Sequence, residues 1–208
     1  VGTYIITAKN PLTNEMTSNK IIIRQRFANN SNVVKYYRND TQYYITLLGD
    51  DGKPVGANEI VTFNINGVMY ERKTNENGTA KMNIHLNPGD YIITAMYKGC
   101  MISNNIKVLP IIKAKDVTMT YRDGTRFTAA LLDGKGNPYL NQTIIFNING
   151  VFYHRTTGSD GIAKLNINLM PGKYIITSYY GTFATSNEIT IKLWDVELTT
   201  SFFIFSSD

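Results

Sequence analysis

The sequence repeats itself, and this repeat limits the possible folds more than any other feature. Residues 61–70 read VTFNINGVMY and residues 144–153 read IIFNINGVFY, 83 residues further along the chain. A shorter match links residues 2–8 with residues 89–95, which predicts that the chain opens inside an earlier copy of the same unit. A repeat this long has enough residues for a core of its own, which predicts an array of separate modules.

Each copy is patterned as short β-strands. Apolar residues alternate with polar ones at matching positions of both copies: Ala80, Met82, Ile84, Leu86, Ala163, Leu165, Ile167 and Leu169. This period of two indicates a strand with one buried face, so we expect these side chains in the core. Asn66-Gly67 and Asn149-Gly150 predict tight hairpins, because both residue types accept positive φ. Seven strands per copy predict an all-β chain of tandem immunoglobulin-like antiparallel β-sandwiches.

A tyrosine opens the sixth predicted strand of each copy. Tyr91 and Tyr174 occupy this position in the two full copies, and Tyr4 occupies it in the partial one. Immunoglobulin-like sandwiches often place a tyrosine at this corner, with its hydroxyl bonded back to the main chain. We expect the same bond here.

The repeat also sets the expected domain boundaries. Residues 30–109 and 110–192 are predicted to be two complete repeats, residues 1–29 the C-terminal hairpin of a preceding repeat, and residues 193–208 the start of a further one. An isolated hairpin is marginal in water, so residues 1–29 are expected to belong with more of their own repeat. In the last segment, residues 202–205 read FFIF and depart from the pattern.

Charge and cysteine content exclude several classes of function. The formal net charge is +5, but the Lys and Arg residues are scattered singly, so we expect no nucleic-acid partner. Cys100 is the one cysteine, which rules out a disulfide within the chain. No apolar stretch reaches the roughly 20 residues of a spanning helix, and the first residues do not resemble a signal peptide. If the protein is exported and anchored, we expect its export signal and its anchor outside this sequence.

No cluster of titratable groups points to catalysis. His85 aligns with Asn168 and His154 with Glu71, so neither histidine recurs between copies. Four aspartates in turns offer oxygen atoms to calcium, yet they lack the regular spacing of a calcium loop and also fit plain turn chemistry: Asp50, Asp51, Asp123 and Asp133. A Lys–Asn amide in the core would need an inward lysine in both copies, and none recurs. We expect no catalytic residue, no cofactor and no metal.

Several motifs resemble a known family. They are FNINGVxY at 63–70 and 146–153, NGTAK at 77–81, LNPGxYIITA at 86–95 and SNxI at 103–106. Together they resemble the Ig-like repeats of adhesin-like surface proteins from methanogenic archaea, and bacterial Ig-like modules share the turn signals among them. The resemblance implies an exported, cell-wall-associated array at the cell surface. Its implied partners are cell-surface glycans or proteins of other cells, besides the adjacent repeats of the same chain.

Basic and aromatic residues that recur or lie exposed are the candidate contact surface. Arg72 and Arg155 are predicted on the fourth strand, opposite Lys81 and Lys164 on a paired fifth strand, which would form a basic ladder for an anionic surface. The alternative is that these four basic side chains are simply exposed to solvent and bind no ligand. Tyr153 and Tyr179 are candidates for stacking on sugars. Glycosylation sequons, if the chain is exported, place possible glycans at Asn29, Asn39, Asn77 and Asn141.

Two functions from different classes fit this organisation. The first is non-catalytic display and adhesion at an extracellular surface. The second is a carbohydrate-binding or spacer module of a larger secreted enzyme, which would need aromatic side chains aligned on one face of a sheet. Internal scaffolding is a third reading.

Overall fold

The computed structural model describes residues 1–194, and every regular element within them is a β-strand. The chain divides after Pro110 into two compact units. No helix long and apolar enough to span a membrane occurs in the described part. The all-β prediction is confirmed.

The first unit opens with an antiparallel hairpin. Strand β1 covers Gly2–Lys9 and β2 covers Met16–Ile23, and the two form a separate two-stranded sheet. Ile6 and Ile21 of this hairpin are exposed, whereas their counterparts Ile93 and Ile106 are buried. The hairpin thus repeats the sequence of a sandwich strand pair without a second sheet against it.

A sandwich of two sheets follows within the first unit. Its strands are β3 (Phe27–Ala28), β4 (Val33–Tyr36), β5 (Gln42–Leu47), β6 (Ile60–Ile65), β7 (Val68–Lys73), β8 (Thr79–Asn83), β9 (Gly89–Tyr97) and β10 (Cys100–Leu109). One sheet has the order β4-β10-β9-β6-β7 and the other β3-β5-β8. Strand β4 runs parallel to β10, and every other pair is antiparallel.

The second unit has the same topology. Its strands are β11 (Ile112–Ala114), β12 (Val117–Thr120), β13 (Arg126–Leu131), β14 (Thr143–Ile148), β15 (Val151–Thr156), β16 (Ile162–Asn166), β17 (Gly172–Tyr180) and β18 (Phe183–Lys192). The sheets are β12-β18-β17-β14-β15 and β11-β13-β16. Both units are immunoglobulin-like sandwiches. The predicted further repeat at 193–208 lies almost wholly outside the described residues.

The first predicted strand is split in two. Phe27 pairs with β5 in the three-stranded sheet, whereas Val33 pairs with β10 in the five-stranded sheet, so the chain changes sheets between them. Asn29, with a φ of 49°, lies at this change. Each sandwich therefore has eight strands rather than seven. Phe27 is buried in the first core although it precedes residue 30, where the sequence places the start of that repeat.

The alternating pattern at 80–86 is confirmed for three of its four positions. Ala80, Met82 and Ile84 are buried, but Leu86 is only half-buried. Its counterpart Leu169 is half-buried as well. The reason is that β8 ends at Asn83, so the chain has left the sheet and turns towards β9 when it reaches Leu86.

The turns and corners follow the sequence signals. Asn66 and Gly67 both have positive φ, at 53° and 80°, and join β6 to β7 in a two-residue hairpin. The Tyr91 hydroxyl donates to the Asn87 carbonyl at 2.8 Å, and Tyr174 donates to the Met170 carbonyl at the same distance. The predicted tyrosine corner is present in both sandwiches.

The two cores differ in a hydrogen bond that a core tyrosine donates. Tyr43 packs edge-to-face on Phe63, with ring centroids 5.8 Å apart, and its hydroxyl donates to Asn104 Oδ1 at 2.7 Å. In the second core Phe127 takes the place of Tyr43. Asn187 Oδ1 is then buried without a hydrogen-bond partner among the described residues. Burial also raises the pKa of Tyr43 to about 12.

We expect Phe127→Tyr to stabilise the second sandwich by about 1 kcal/mol, because the new hydroxyl would give Asn187 Oδ1 its missing donor. Urea unfolding combined with amide exchange of the second sandwich measures the gain. Tyr43→Phe is the matched change, and it should cost the first sandwich a similar amount. A loss of stability in Phe127→Tyr would show that the second core has no room for the hydroxyl.

Candidate binding surfaces

An arginine lies over a tyrosine ring on the edge strand of each five-stranded sheet. The Arg72 guanidinium carbon is 5.8 Å from the centre of the Tyr70 ring, and that of Arg155 is 5.9 Å from the centre of the Tyr153 ring. Residues two apart on a strand share a face, which brings each pair together. Neither arginine forms an ion pair with a described residue. The two Arg–Tyr pairs therefore present the same cation and ring twice.

The predicted basic ladder is wrong, because its two strands belong to different sheets and do not pair. Strand β7, with Arg72, pairs with β6, whereas β8, with Lys81, pairs with β5 in the other sheet. Buried Thr74 fixes the crossing: its hydroxyl donates to the Gly56 carbonyl at 2.8 Å and accepts the Glu59 amide at 3.0 Å. Strands β15 and β16 are separated in the same way. The arginines and lysines form two surfaces rather than one.

The two lysines of this prediction also differ from each other. Lys164 Nζ lies 3.8 Å from Asp160 Oδ2, so part of its charge is already balanced. Asn77 stands where the second copy has Asp160, and Lys81 makes no ion pair within the described chain. Lys81 and Lys164 thus occupy equivalent positions in the fold, but only Lys164 has a carboxylate beside it.

Tyr153 and Tyr179 lie on opposite faces of one sheet. Tyr153 is opposite Phe146, which is fully buried, so its ring is on the core side of the edge strand. Tyr179 is opposite Ile145, whose side chain alternates outward. Both tyrosines are half-buried. They do not combine into one stacking platform.

A surface that the sequence interpretation missed recurs in all three copies of the β1–β2 type of hairpin. A threonine and a serine face each other across the strands, with their hydroxyl oxygens 2.8 to 3.0 Å apart: Thr7 with Ser18, Thr94 with Ser103, and Thr177 with Ser186. Two residues before each threonine is an exposed isoleucine, namely Ile5, Ile92 and Ile175, at 73%, 59% and 58% exposure. The motif Tyr-Ile-Ile-Thr carried this signal, since period two turns its first isoleucine outward. We call each set the Ile–Thr–Ser face.

The four sequons differ in accessibility. Asn29, Asn77 and Asn141 are exposed. Asn39 is half-buried, and its Oδ1 accepts the Thr41 amide at 2.7 Å. Asn77 and Asn141 are therefore open to modification, whereas Asn39 would have to give up a turn bond, and Asn29 the bond that its Nδ2 donates to Thr46 Oγ1 at 3.2 Å.

Three of the four turn aspartates, Asp51, Asp123 and Asp133, accept main-chain amides, whereas Asp50 forms an ion pair with Arg26. Asp133 Oδ1 accepts the amides of Lys135 and Asn137, each at 2.8 Å, and these bonds lower the pKa of Asp133. Hydrogen bonds from Thr125 and Thr120 lower the pKa of Asp123 in the same way. Within residues 1–194, no group of three His, Cys, Asp or Glu side chains is arranged to hold a metal. The turn reading explains these carboxylates.

One lysine is buried in the first sandwich. Lys35 Nζ donates to the main-chain carbonyls of Ile84 at 2.8 Å and Thr41 at 3.3 Å, and to that of Asn39. Burial lowers the pKa of Lys35. Met119 is the equivalent residue in the second sandwich and is also buried. The acceptors are main-chain carbonyls and not asparagine side chains, so Lys35 is not placed to form a Lys–Asn amide. Its hydrogen bonds connect β4 to the chain segments at one end of the core.

No protein-family model and no curated protein sequence matches this chain. Among solved structures, it is similar to a titin I9–I11 tandem, with 14% identity, a TM-score of 0.38, and 92% of this chain and 74% of that one covered. It is similar to invasin, a bacterial integrin-binding protein, with 18% identity, a TM-score of 0.35, and 80% and 38% covered. A calcium-stabilised adhesin with which an Antarctic bacterium binds ice has 15% identity, a TM-score of 0.24, and 92% and 56% covered. The chain thus spans well under half of the invasin structure.

Proposed function

We propose that this chain is part of a non-catalytic, adhesin-like protein of a microbial cell surface, of the kind described for methanogenic archaea. Its immunoglobulin-like repeats would display weak contact surfaces to glycans or proteins of other cells. The observation that carries this proposal is the Ile–Thr–Ser face, which returns at the same place in all three copies. Repetition of one exposed surface is what multivalent adhesion requires.

Physical chemistry supports a contact role for this face. Because Ile5, Ile92 and Ile175 are exposed, the packing of the fold does not require an apolar side chain at these positions. Packing therefore does not explain why all three are isoleucine. Beside each one, a hydroxyl pair can exchange hydrogen bonds with sugar hydroxyls or main-chain groups. Each face is small and should bind weakly. Several in a row would gain affinity by avidity, because later contacts form within an already tethered complex.

The enzyme-module alternative has less support. A carbohydrate-binding module that stacks sugars on one platform needs aligned aromatic rings. Tyr153 and Tyr179 lie on opposite faces and are both half-buried. The Arg–Tyr pairs remain the best surface for that reading, and they also serve the adhesive one.

The test is binding of beads coated with the whole chain to intact microbial cells and to their extracted glycans. Changing Ile5, Ile92 and Ile175 together to threonine keeps β-propensity and removes the apolar contact. We expect bead binding to fall about tenfold, because avidity multiplies three small losses. Val68→Thr with Val151→Thr is the matched control, since both valines are 51% exposed and lie outside these faces.

The basic residues are tested in two separate pairs, because they belong to different sheets. Arg72→Gln with Arg155→Gln removes the Arg–Tyr cations, and Lys81→Gln with Lys164→Gln removes the lysines. The pair that contacts an anionic surface should flatten the ionic-strength dependence of binding. Equal binding by the isoleucine variant and the valine control would refute the Ile–Thr–Ser face as the contact. No binding across a broad panel of cells and glycans would leave the chain as a spacer.

A further inference from the structure

The second sandwich has a polar cavity at one end. Its volume is about 520 Å³, and it lies between the β12–β13 loop and the end of β16. The side chains that give it its chemistry are Tyr121, Arg122, Thr125, Arg126, Asn166 and Asn168. This size is within the range of small-molecule sites.

Four polar side chains of this cavity are not used by the fold, whereas the Tyr121 hydroxyl donates to Met170 Sδ at 3.5 Å. Within the described residues, the guanidinium groups of Arg122 and Arg126 form no hydrogen bond or ion pair, and neither do the side-chain amides of Asn166 and Asn168. The Arg122 guanidinium carbon lies 5.1 Å from the centre of the Tyr121 ring. The cavity therefore offers two cations and two carboxamides to a ligand.

Asp123 is the acidic group nearest in sequence, and it is committed to its own turn. Its Oδ2 accepts the Thr120 amide at 2.7 Å and its Oδ1 accepts the Thr125 amide at 2.8 Å. Asp123 does not line the cavity. The charge of Asp123 lowers the net positive charge of the loop. Its carboxylate forms no ion pair with either arginine.

The equivalent place in the first sandwich shows that the fold does not need an arginine at position 126. There Gln42 stands for Arg126, and Asp40 stands for Gly124, which adds a carboxylate to the lining. Arg38 stands for Arg122 but does not line the cavity of the first sandwich. The Lys35 ammonium donates to the Thr41 carbonyl in this loop and to the Ile84 carbonyl beyond β8, and the cavity has a volume of about 240 Å³. Of these two cavities, the one in the second sandwich is the larger and is lined by two arginines, whereas no arginine lines the other.

We propose that this cavity binds an acidic sugar unit, with the arginines on its carboxylate and the asparagine amides on its hydroxyls. Planar guanidinium groups suit carboxylates, because they donate two hydrogen bonds in parallel. Carboxamides both donate and accept, which matches sugar hydroxyls. The Tyr121 ring offers part of the wall an apolar surface for a sugar ring. This site is distinct from the Ile–Thr–Ser face and goes beyond the adhesive function proposed above.

The experiment titrates the full chain with D-glucuronate and follows the side-chain amide signals of Asn166 and Asn168 by NMR. D-glucose and inorganic sulfate are titrated in parallel. We expect saturable shifts with glucuronate, weaker ones with sulfate and none with glucose at the same concentrations. Because the probe is a free monosaccharide, this result does not depend on whether the repeats adhere to cells.

Arg126→Gln is the decisive variant, since Gln42 shows that the sandwich tolerates glutamine at this position. It should weaken glucuronate binding about tenfold through loss of charge-assisted hydrogen bonds. Lys135→Gln removes the same charge from an exposed loop outside the cavity and should leave binding unchanged. Equal losses in the two variants, or equal affinity for sulfate and glucuronate, would overturn the proposed sugar site. The absence of any glucuronate-induced shift at Asn166 and Asn168 would overturn it as well.

Discussion

Replacing Gly78 with alanine is expected to destabilise the first sandwich by about 2–5 kcal/mol, as the sum of a left-handed backbone and an overpacked contact. Gly78 has a φ of 69°, and a Cβ added there would lie 2.6 Å from the Val55 carbonyl oxygen. That backbone cannot easily withdraw. The Val55 amide donates to the Leu47 carbonyl at 3.0 Å, and the Leu47 amide donates to the Gly78 carbonyl at 2.9 Å.

Gly67→Ala separates the two contributions. Gly67 also has a positive φ, at 80°, but a Cβ there would meet no atom within 4 Å. Its replacement should therefore cost only the left-handed conformation, about 1–2 kcal/mol. Urea unfolding, with amide exchange to resolve the first sandwich, measures both variants. Equal losses would show that the approach of Val55 to Gly78 is relieved by a small loop movement.

Leu47→Ala is expected to cost the first sandwich about 3–5 kcal/mol, because it opens a cavity in a core that is closed on every side. Leu47 is fully buried on β5, and its row continues through Ile45 and Tyr43. The core cluster that contains it is formed only by residues between Phe27 and Val108. We therefore expect the loss to concentrate in the first sandwich.

Leu86→Ala provides the comparison for this loss. Leu86 is half-buried beyond the end of β8, so its replacement should cost less than half as much. Leu131→Ala should reproduce the Leu47 result in the second sandwich, since Leu131 is the equivalent, fully buried residue. Amide exchange in each sandwich gives the measurement. If Leu86→Ala cost as much stability as Leu47→Ala, Leu86 would be shown to contribute fully to the core although β8 ends before it.

The candidate surfaces show how far sequence interpretation reaches. Tyr70 and Arg72 are two residues apart on one strand, so the sequence places them on one face, and the structure brings them together. Arg72 and Lys81 lie on consecutive strands, which the sequence interpretation placed side by side. The turn that joins these strands, at Asn77-Gly78, is instead part of the crossing between two sheets. A glycine can mark either kind of turn, so the local signal does not distinguish a hairpin from a crossing.

The binding cavity of the second sandwich is a stronger case of the same limit. Arg126 and Asn166 are forty residues apart in sequence and face each other because β13 and β16 pair in register. Nothing near either residue indicates this neighbour. Similarly, the exchange of Tyr43 for Phe127 is a small difference in sequence, and its consequence at Asn187 appears only when the strands are packed.

The sequence alone predicts the repeat, the β-strands, the buried face of most strands and the positive-φ turns. These properties depend on residues within a few positions of each other, through the period of two and the backbone freedom of Asn and Gly. Only the packed structure shows which strands pair, where the first predicted strand of each sandwich changes sheets, and which polar groups remain without partners. Those outcomes depend on contacts between residues distant in sequence, because a strand satisfies its main-chain hydrogen bonds with whichever edge the packed core brings beside it.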